Sequence, residues 1–436
     1  MTHSPTPQPV RAGIVVTGTE VLTGRVSDAN GPWLAEQLRT LGVDVGRIVV
    51  VGDRPDDLES ALRYLLADHR LVITTGGLGP TADDLTAEVV ARVQGRPVRL
   101  DESLERRVAA RVEELNRRRE RQPAPEVVAA GVRKQAMVPE QAAVLEPVGT
   151  APGLVVTAVG DAAAPVLVLP GPPGELRPMW EDALRDRAVL GAIEGAGALR
   201  QGTLRAYGPP ESELAALLRD HEAAHGSLES AGLEVTTCLR EGELEVVTRY
   251  RPDAQTAYER LVETLHDGFG AALYSRDGAS VDQTVAALFR EAGATVATAE
   301  SCTAGLLAGR LADVPGSSAY LLGGFVTYAN EAKTAEVGVP ADLIERVGAV
   351  SAEVAEAMAR GARERLGTTY GIGITGVAGP GGGTADKPVG LVHVCLAHED
   401  GRTWPLRLQL GGGRAGVRQR TVVACLHLLR EVLTTG

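Results

Sequence analysis

The chain has 436 residues, of which 44% are hydrophobic and only 3% aromatic, and its formal charge is −12. That length exceeds one ordinary core, so two to four domains are expected. So acidic a chain, with so few rings for stacking bases, speaks against nucleic acid as the main partner, although a local basic pocket for a phosphate stays compatible with it. Its four cysteines, Cys238, Cys302, Cys395 and Cys425, form no CxxC pair. A disulfide framework or zinc ribbon is therefore not expected, and reduced thiols in a cytoplasm fit best. Met1 to Val10 is polar and Pro-rich without an apolar h-region, so a frayed tail is expected rather than a signal peptide. No run of about 18 apolar residues occurs, so no membrane span is expected.

From Arg11 to about Asp186 the pattern alternates between strands and helices. Ala12 to Val16 reads as a strand, Asn30 to Leu41 as a helix with Leu34, Leu38 and Leu41 on one face, and Val43 to Val51 as a strand. Asp56 to Asp68 has Leu58, Leu62 and Leu65 at helical spacing, and Leu71 to Thr75 is a strand again. Repeated βα units imply a mostly parallel sheet covered by helices, with ligands at the carboxyl ends of its strands. The loop Thr75-Gly-Gly-Leu-Gly-Pro-Thr-Ala-Asp-Asp-Leu-Thr86 lies at such an end. Gly76, Gly77 and Gly79 let backbone N–H groups approach a ligand closely, and with Thr81 they suit a phosphate. Asp83 and Asp84 suit a divalent metal that bridges phosphate oxygens. The competing reading is a glycine turn with an Asp capping the next helix. A second Gly/Thr loop, Thr17 to Gly24, leads to Asp28 and Asn30. Asp101 to Arg121 reads as a charge-dense, solvated helix ending in Arg117, Arg118, Arg119 and Arg121, and Pro123 and Pro125 stop it.

Ala192 to Ala198 is small-residue and reads as a linker. Beyond it, a strand at Thr203 to Ala206, a helix at Glu211 to Leu218, a hairpin of Leu233–Leu239 with Leu244–Tyr250, and a helix at Ala254 to Leu265 make a small α+β module. His221-Glu-Ala-Ala-His225 spells the zinc-protease signature. It is rejected because Arg219 and Asp220 precede it, Gly226 follows at once, and no third ligand stands on a following helix.

The last region opens with a helix at Val281 to Ala292. A short strand follows, and then Thr298-Ala-Glu-Ser-Cys-Thr-Ala-Gly305 at a helix start. Ser301 at that turn is either a helix cap or a nucleophile held beside helix N-terminal amides. Tyr320 to Tyr328 reads as a strand whose Gly323-Gly324 marks a bulge or a close backbone approach. It delivers Tyr328 and then Lys333. A hydroxyl, an amine base and orienting N–H groups suffice for amide hydrolysis. Cys302 is a rival nucleophile without a nearby histidine. Ser351 caps a helix to Leu366, Tyr370 to Thr375 is a strand, and Gly376 opens a glycine loop. Two paired strands, Leu391–Ala397 and Trp404–Leu410, and a helix from Arg418 to Leu433 complete the chain.

Gly18-Thr-Glu20, Asp28-Ala-Asn30, Thr74 to Thr86, Arg133-Lys-Gln-Ala136, Pro147 to Gly153 and Leu169 to Leu176 together resemble the molybdopterin-binding-like domain of the competence/damage-inducible protein A (CinA) family. Thr298 to Thr303, Val314 to Ser318, Gly324 to Lys333, Gly348 to Ser351, Thr375 to Gly383 and Lys387 to Gly390 resemble that family's C-terminal domain. The resemblance implies an α/β protein. Residues 11–188 would form a molybdopterin-binding-like parallel-sheet sandwich, 189–272 a KH-like middle domain and 273–436 an amidase domain. The loop Gly208-Pro-Pro-Glu-Ser lacks the G-x-x-G of RNA-binding KH modules, so a spacer or dimer element is expected there. The resemblance also implies two activities. The last domain would convert nicotinamide mononucleotide and water to nicotinate mononucleotide and ammonia, without a cofactor. The first would hydrolyse ADP-ribose to AMP and ribose 5-phosphate with a divalent metal; the alternative is a non-catalytic pterin or nucleotide binding module. Asp28 and Asp84 match the acidic positions of the first pocket and Lys134 its lysine. In the last domain Ser301 attacks, Lys333 takes its proton and Tyr328 relays that proton or fixes the lysine. Thr375 and Gly376 orient the amide, and Arg414 and Arg418 are phosphate candidates. A cytoplasmic homodimer is the family-level expectation.

Overall fold

The computed structural model describes residues 10–117, 124–160, 164–197 and 199–435. The expected tail up to Pro9, the basic residues Arg118, Arg119 and Arg121, Pro123 and the linker's Ala198 lie outside the described residues. The chain forms two compact units, one running to Gln201 with Tyr250–Asp253 added, the other made of Gly202–Arg249 and Ala254 onward.

The first unit is built on a six-stranded sheet. Its order is Asp44–Val51, Arg11–Thr17, Leu71–Thr75, Val166–Leu169, Gly153–Val156 and Ala143–Leu145. The first four strands are parallel, and Gly153–Val156 runs antiparallel to both its neighbours, so the sheet is mixed. Alternate residues feed two cores. Ala12, Ile14, Val16, Leu71, Ile73, Leu167 and Leu169 pack with Leu34, Leu38 and Trp180 on one face. Val15, Val72, Val166 and Val168 pack with Leu62, Leu65, Val90 and Leu104 on the other. Helices cover both faces, which is why these strands read as unbroken apolar runs. The charge-dense helix spans Glu102–Asn116, with the Asp101 carboxylate accepting from the Ser103 and Leu104 amides. The expected linker begins later than its composition suggests, because Ala192 is buried in the helix Arg187–Ile193.

The second unit carries two sheets. The smaller has the order Leu233–Arg240, Glu243–Tyr250, Arg200–Tyr207 and Leu273–Ser275, with helices Glu211–His225 and Gln255–Phe269. The first helix runs seven residues beyond its expected end and stops at Gly226. His221 is buried within it, and its Nδ1 lies 2.8 Å from Thr264 Oγ1 on the second helix. The larger sheet has the order Leu321–Val326, Val296–Glu300, Tyr370–Gly376, Leu391–His398 and Thr403–Gln409, with the first three parallel. A register shift near Leu322 realises the bulge expected at the glycine pair, whereas what crowds Gly324 is the Thr298 side chain rather than another backbone. On one face lie helices Val281–Ala292, Leu306–Ala312 and Gly413–Thr435. On the other lies Ala352–Leu366, capped by Ser351.

That last helix sits unusually close to the sheet. A Cβ on Gly373 would stand 2.2 Å from the Ala355 carbonyl oxygen and 2.6 Å from the Ala359 nitrogen. The approach is therefore backbone on backbone, and no rotamer change relieves it. Gly373→Ala is expected to destabilise the fold by about 1–3 kcal/mol through overpacking. A lowered urea midpoint would register it, and an unchanged midpoint would contradict this packing argument.

Candidate active sites

The order of the larger sheet sets three carboxyl ends side by side. Ser301 follows the central strand, Thr327 and Tyr328 follow one neighbour, and Thr375 ends the other. The Ser301 amide donates to the Ile374 carbonyl at 2.9 Å, and the Thr327 amide to the Glu300 carbonyl at 2.8 Å. Residues up to 74 positions apart thus meet because parallel strands end together.

Lys333 stands on the helix Asn330–Val337 and is 1% exposed. Its Nζ lies 3.2 Å from Ser301 Oγ and donates to the Thr327 and Tyr328 carbonyls at 3.0 and 3.2 Å. Burial lowers its pKa, with Cys302 and Glu331 opposing that effect weakly. A neutral amine has two N–H donors and one lone pair. In the neutral form the two carbonyls would take both donors and leave the lone pair for the Ser301 hydroxyl, whereas the charged form donates to all three oxygens.

The helix amides expected beside Ser301 are not free. Glu300, fully buried, accepts from the amides of Gly305, Leu307 and Ala308 at 3.0, 3.1 and 2.8 Å. Local spacing does not reveal this residue, because it reaches five to eight positions ahead rather than the usual two or three. A carboxylate inside an otherwise apolar strand was the signal that could have found it. The oxyanion candidates are instead the turn's own amides. Arg418 donates to the Cys302 and Thr303 carbonyls, both at 3.0 Å. A trans peptide points its N–H away from its carbonyl, so the Thr303 amide faces away from Arg418. Among the described residues the Cys302 and Thr303 amides donate to no oxygen, and both face the Cys302 thiol, which they hold down against burial. Ala304, at φ 51°, holds the turn in the left-handed region that non-glycine residues rarely adopt.

Three expectations change. Tyr328 joins the site through its carbonyl, whereas its half-exposed phenol accepts from Arg414 at 2.7 Å. Arg418 is committed to the Ser301 turn, so of the two arginines Arg414, exposed and donating to the Gly379 carbonyl and the Tyr328 phenol, keeps its place as the phosphate candidate. Thr375 is buried and its hydroxyl donates to the Ala349 carbonyl at 2.7 Å, with Gly376 beside it pairing with Val392. Cys302 is 4% exposed, and burial first, then the Glu300 carboxylate, pushes its thiol up to about 11. It is a protonated thiol at neutral pH, which argues for Ser301 over Cys302.

The other site lies at the carboxyl end of the first unit's sheet, in a cavity of about 310 Å³. Thr17, Gly76, Gly77, Gly79, Asp83 and Asp84 line it. Gly76, at φ 103°, passes so close that a Cβ would stand 2.5 Å from Thr17 Oγ1. Thr81 Oγ1 lies 2.5 Å from both Asp83 Oδ1 and Asp84 Oδ2, and the Lys134 ammonium donates to the Thr81 carbonyl. The capping alternative fails, since the helix Thr86–Val93 has no side-chain cap. Asp28 does not join the cavity. Its Oδ1 accepts from the Asn30 and Gly31 amides, both at 2.9 Å, which starts the helix Asn30–Thr40. Asn30 then ties Thr75 Oγ1 to the Gly171 carbonyl at 2.8 and 2.6 Å, beneath the cavity floor. The acids missed are Glu20, Asp53 and Glu175. Asp53 follows the strand that neighbours Arg11–Thr17, so sheet order was the signal for it. Burial raises the Glu175 carboxyl, with Arg111 opposing.

The oxygen donors of Asp83 and Asp84 fit a hard divalent cation completed by substrate phosphate and water, which takes one or two carboxylates from the protein. Among the described residues no three His, Cys, Asp or Glu side chains converge into a protein-only cage. Nor is any described helix long and apolar enough to cross a membrane.

The two sheets and their sites define a mixed α/β protein with a serine–lysine centre in one unit and an acid-lined, glycine-rich cavity in the other. Comparison with known proteins agrees in both halves. Residues 13–188 match the family described as probable molybdopterin binding domain, and residues 278–433 match the CinA C-terminal domain. A CinA-like protein of Mycobacterium sp. (strain MCS) is 53% identical over 427 residues, covering 98% of this chain and 99% of its own length. A CinA-like protein of Mycolicibacterium gilvum (strain PYR-GCK) is 54% identical over 428 residues with the same coverage. The solved competence/damage inducible protein CihA from Agrobacterium tumefaciens is 41% identical, covering 35% of this chain and 93% of that one, at a TM-score of 0.35. The chain belongs to the CinA family.

Proposed function

We propose that the second unit hydrolyses the carboxamide of nicotinamide mononucleotide to nicotinate mononucleotide and ammonia. The observation that carries this reading is the buried Lys333 Nζ, 3.2 Å from Ser301 Oγ. Ser301 Oγ attacks the carboxamide carbon while its proton passes to the neutral lysine. The amides of Cys302 and Thr303 receive the developing oxyanion. The lysine returns the proton to the leaving nitrogen, and ammonia departs from an ester on Ser301. Water, deprotonated by the same amine, then cleaves that ester and restores the serine. Substrate identity rests on family membership, and the Arg414 guanidinium at the mouth supplies the charge that a nucleotide phosphate needs. The decisive experiment is replacement of Ser301 by alanine, which should abolish ammonia release.

For the first unit we propose metal-dependent hydrolysis of ADP-ribose to AMP and ribose 5-phosphate. The supporting observation is the lining of its cavity by Glu20, Asp53, Asp83, Asp84 and Glu175. A diphosphate entering among carboxylates is repelled unless a cation accompanies it. Asp83 and Asp84 would hold that cation, which supplies charge neutralisation at the phosphate oxygens when bound. The Gly76–Gly79 amides and Lys134 would hold the nucleotide. Asp84→Asn, or EDTA on the native protein, is expected to lower AMP formation by about 10²-fold. Unchanged AMP formation under both would remove the acidic pair from catalysis. Tight nucleotide or pterin binding without turnover would make the unit a binding module instead.

A further inference from the structure

The hairpin of the smaller sheet reaches the two helices that hold the Ser301 turn. Its turn residue Glu241 lies 3.8 Å from Arg310, on the helix Leu306–Ala312 that begins just after that turn, and Arg310 also pairs with Asp282 at 2.7 Å. Two residues on, Glu243 meets the last helix. Its Oε1 accepts from the Tyr274 phenol at 2.6 Å and lies 3.1 Å from His427 Nε2. His427 is 1% exposed, stacked on Tyr207 at 3.7 Å and 7°, with Tyr274 edge-on at 4.9 Å. The Arg430 guanidinium lies 5.3 Å from the Tyr274 ring centroid.

This joint does not resemble ordinary core. It is a half-buried carboxylate, 17% exposed, with two donors on it, and the imidazole's Nδ1 has no partner among the described residues. The bond to Glu243 therefore requires a proton on Nε2, which the Nε2–H tautomer and the imidazolium both supply. Burial works against charging that ring, and the Glu243 carboxylate opposes the effect. For Glu243 itself burial would raise the pKa, but the bonds from His427 and Tyr274 outweigh it. Nine residues before His427, about 13.5 Å along the helix, Arg418 grips the Cys302 and Thr303 carbonyls.

We propose that Glu243 is a positioning residue of the amidase. Through His427 it fixes the register of the last helix, and hence Arg418 against the nucleophile turn, so that the smaller sheet is a working part of the serine–lysine centre. The inference rests on the amidase reading of that centre. It assigns the middle module a task other than the spacer or dimer element expected from sequence, using contacts inside the second unit alone. Small displacements of a nucleophile from its attack geometry cost up to about 10²-fold in rate, so a loosened helix should show in turnover before it shows in binding.

The test uses the full chain, with Glu243→Ala, Glu243→Gln and the milder Glu241→Gln. Two readouts are taken: steady-state ammonia release from nicotinamide mononucleotide, and the rate and end point of Ser301 labelling by a fluorophosphonate. Expected for Glu243→Ala is a roughly tenfold lower kcat with KM within about twofold, and labelling slowed by a similar factor to an undiminished end point. Glu243→Gln, whose amide oxygen still accepts from Tyr274 and His427, should restore both rates. Glu241→Gln, at a partly exposed turn, should fold normally and slow both by about two- to threefold. A native labelling rate in Glu243→Ala overturns the proposal. So does a loss matched by a lower labelling end point, because that is unfolding rather than misplacement. If the native protein releases no ammonia yet its Ser301 labels and Glu243→Ala slows the labelling, the substrate reading falls and the positioning role stands. A native Ser301 that does not label at all ends both.

Discussion

Ser301→Ala is expected to lower ammonia release from nicotinamide mononucleotide by about 10⁴–10⁶-fold, while Cys302→Ala stays within about threefold of the native rate. The two side chains are neighbours in sequence and both are buried, so burial alone does not separate them. Their surroundings do. Ser301 Oγ faces an amine that can take its proton, whereas the Cys302 thiol is held at about 11 by burial and by the Glu300 carboxylate. The serine variant removes one oxygen from a turn otherwise fixed by backbone bonds and Arg418, so its fold should survive. A coupled ammonia assay on both variants, with thermal unfolding as control, decides the point. The reverse pattern would transfer the nucleophile to sulfur.

Lys333→Met is expected to cost about 10²–10⁴-fold in kcat, the range of a general base. Methionine nearly fills the volume of the lysine. The variant strands the Thr327 and Tyr328 carbonyls but also removes a buried amine, so the two effects on stability oppose each other. Lys333→Arg is the sharper control, since a guanidinium never gives up its charge in proteins and should be inactive at every pH. The pH dependence follows from the same burial. A base must be unprotonated to act, and burial moves the Lys333 pKa down from 10.5. Native kcat should therefore rise with pH through that lowered value and level off above it. A kcat that is flat with pH, or full activity in Lys333→Met, would sink the assignment.

Much of the architecture was readable along the chain because each element carries its own pattern. Ala12 to Val16 and Leu71 to Thr75 are short apolar runs since helices cover both their faces. The Ser351 cap and the stop at Gly226 were visible for local reasons as well. Where glycine lowers helix propensity the local signal failed. The last helix begins at Gly413 rather than Arg418, across Gly413 and Gly416, because packing of its later turns carries the first one.

What the amino-acid sequence determined by itself was the inventory: two βα regions, a glycine loop with Asp83 and Asp84, and a hydroxyl turn with a lysine thirty-two positions on. Those follow from residue type and spacing. The tertiary structure alone decided which groups meet. It turned Asp28 into a helix starter and put Asp53 in the cavity, gave the helix amides to Glu300, and moved Tyr328's part from its phenol to its carbonyl. It also set Arg418 on the Ser301 turn and His427 against Glu243. Each of these depends on which strands lie side by side and where a side chain finds its hydrogen-bond partner. Spacing along one chain carries neither, because the partner comes from another strand, helix or sheet.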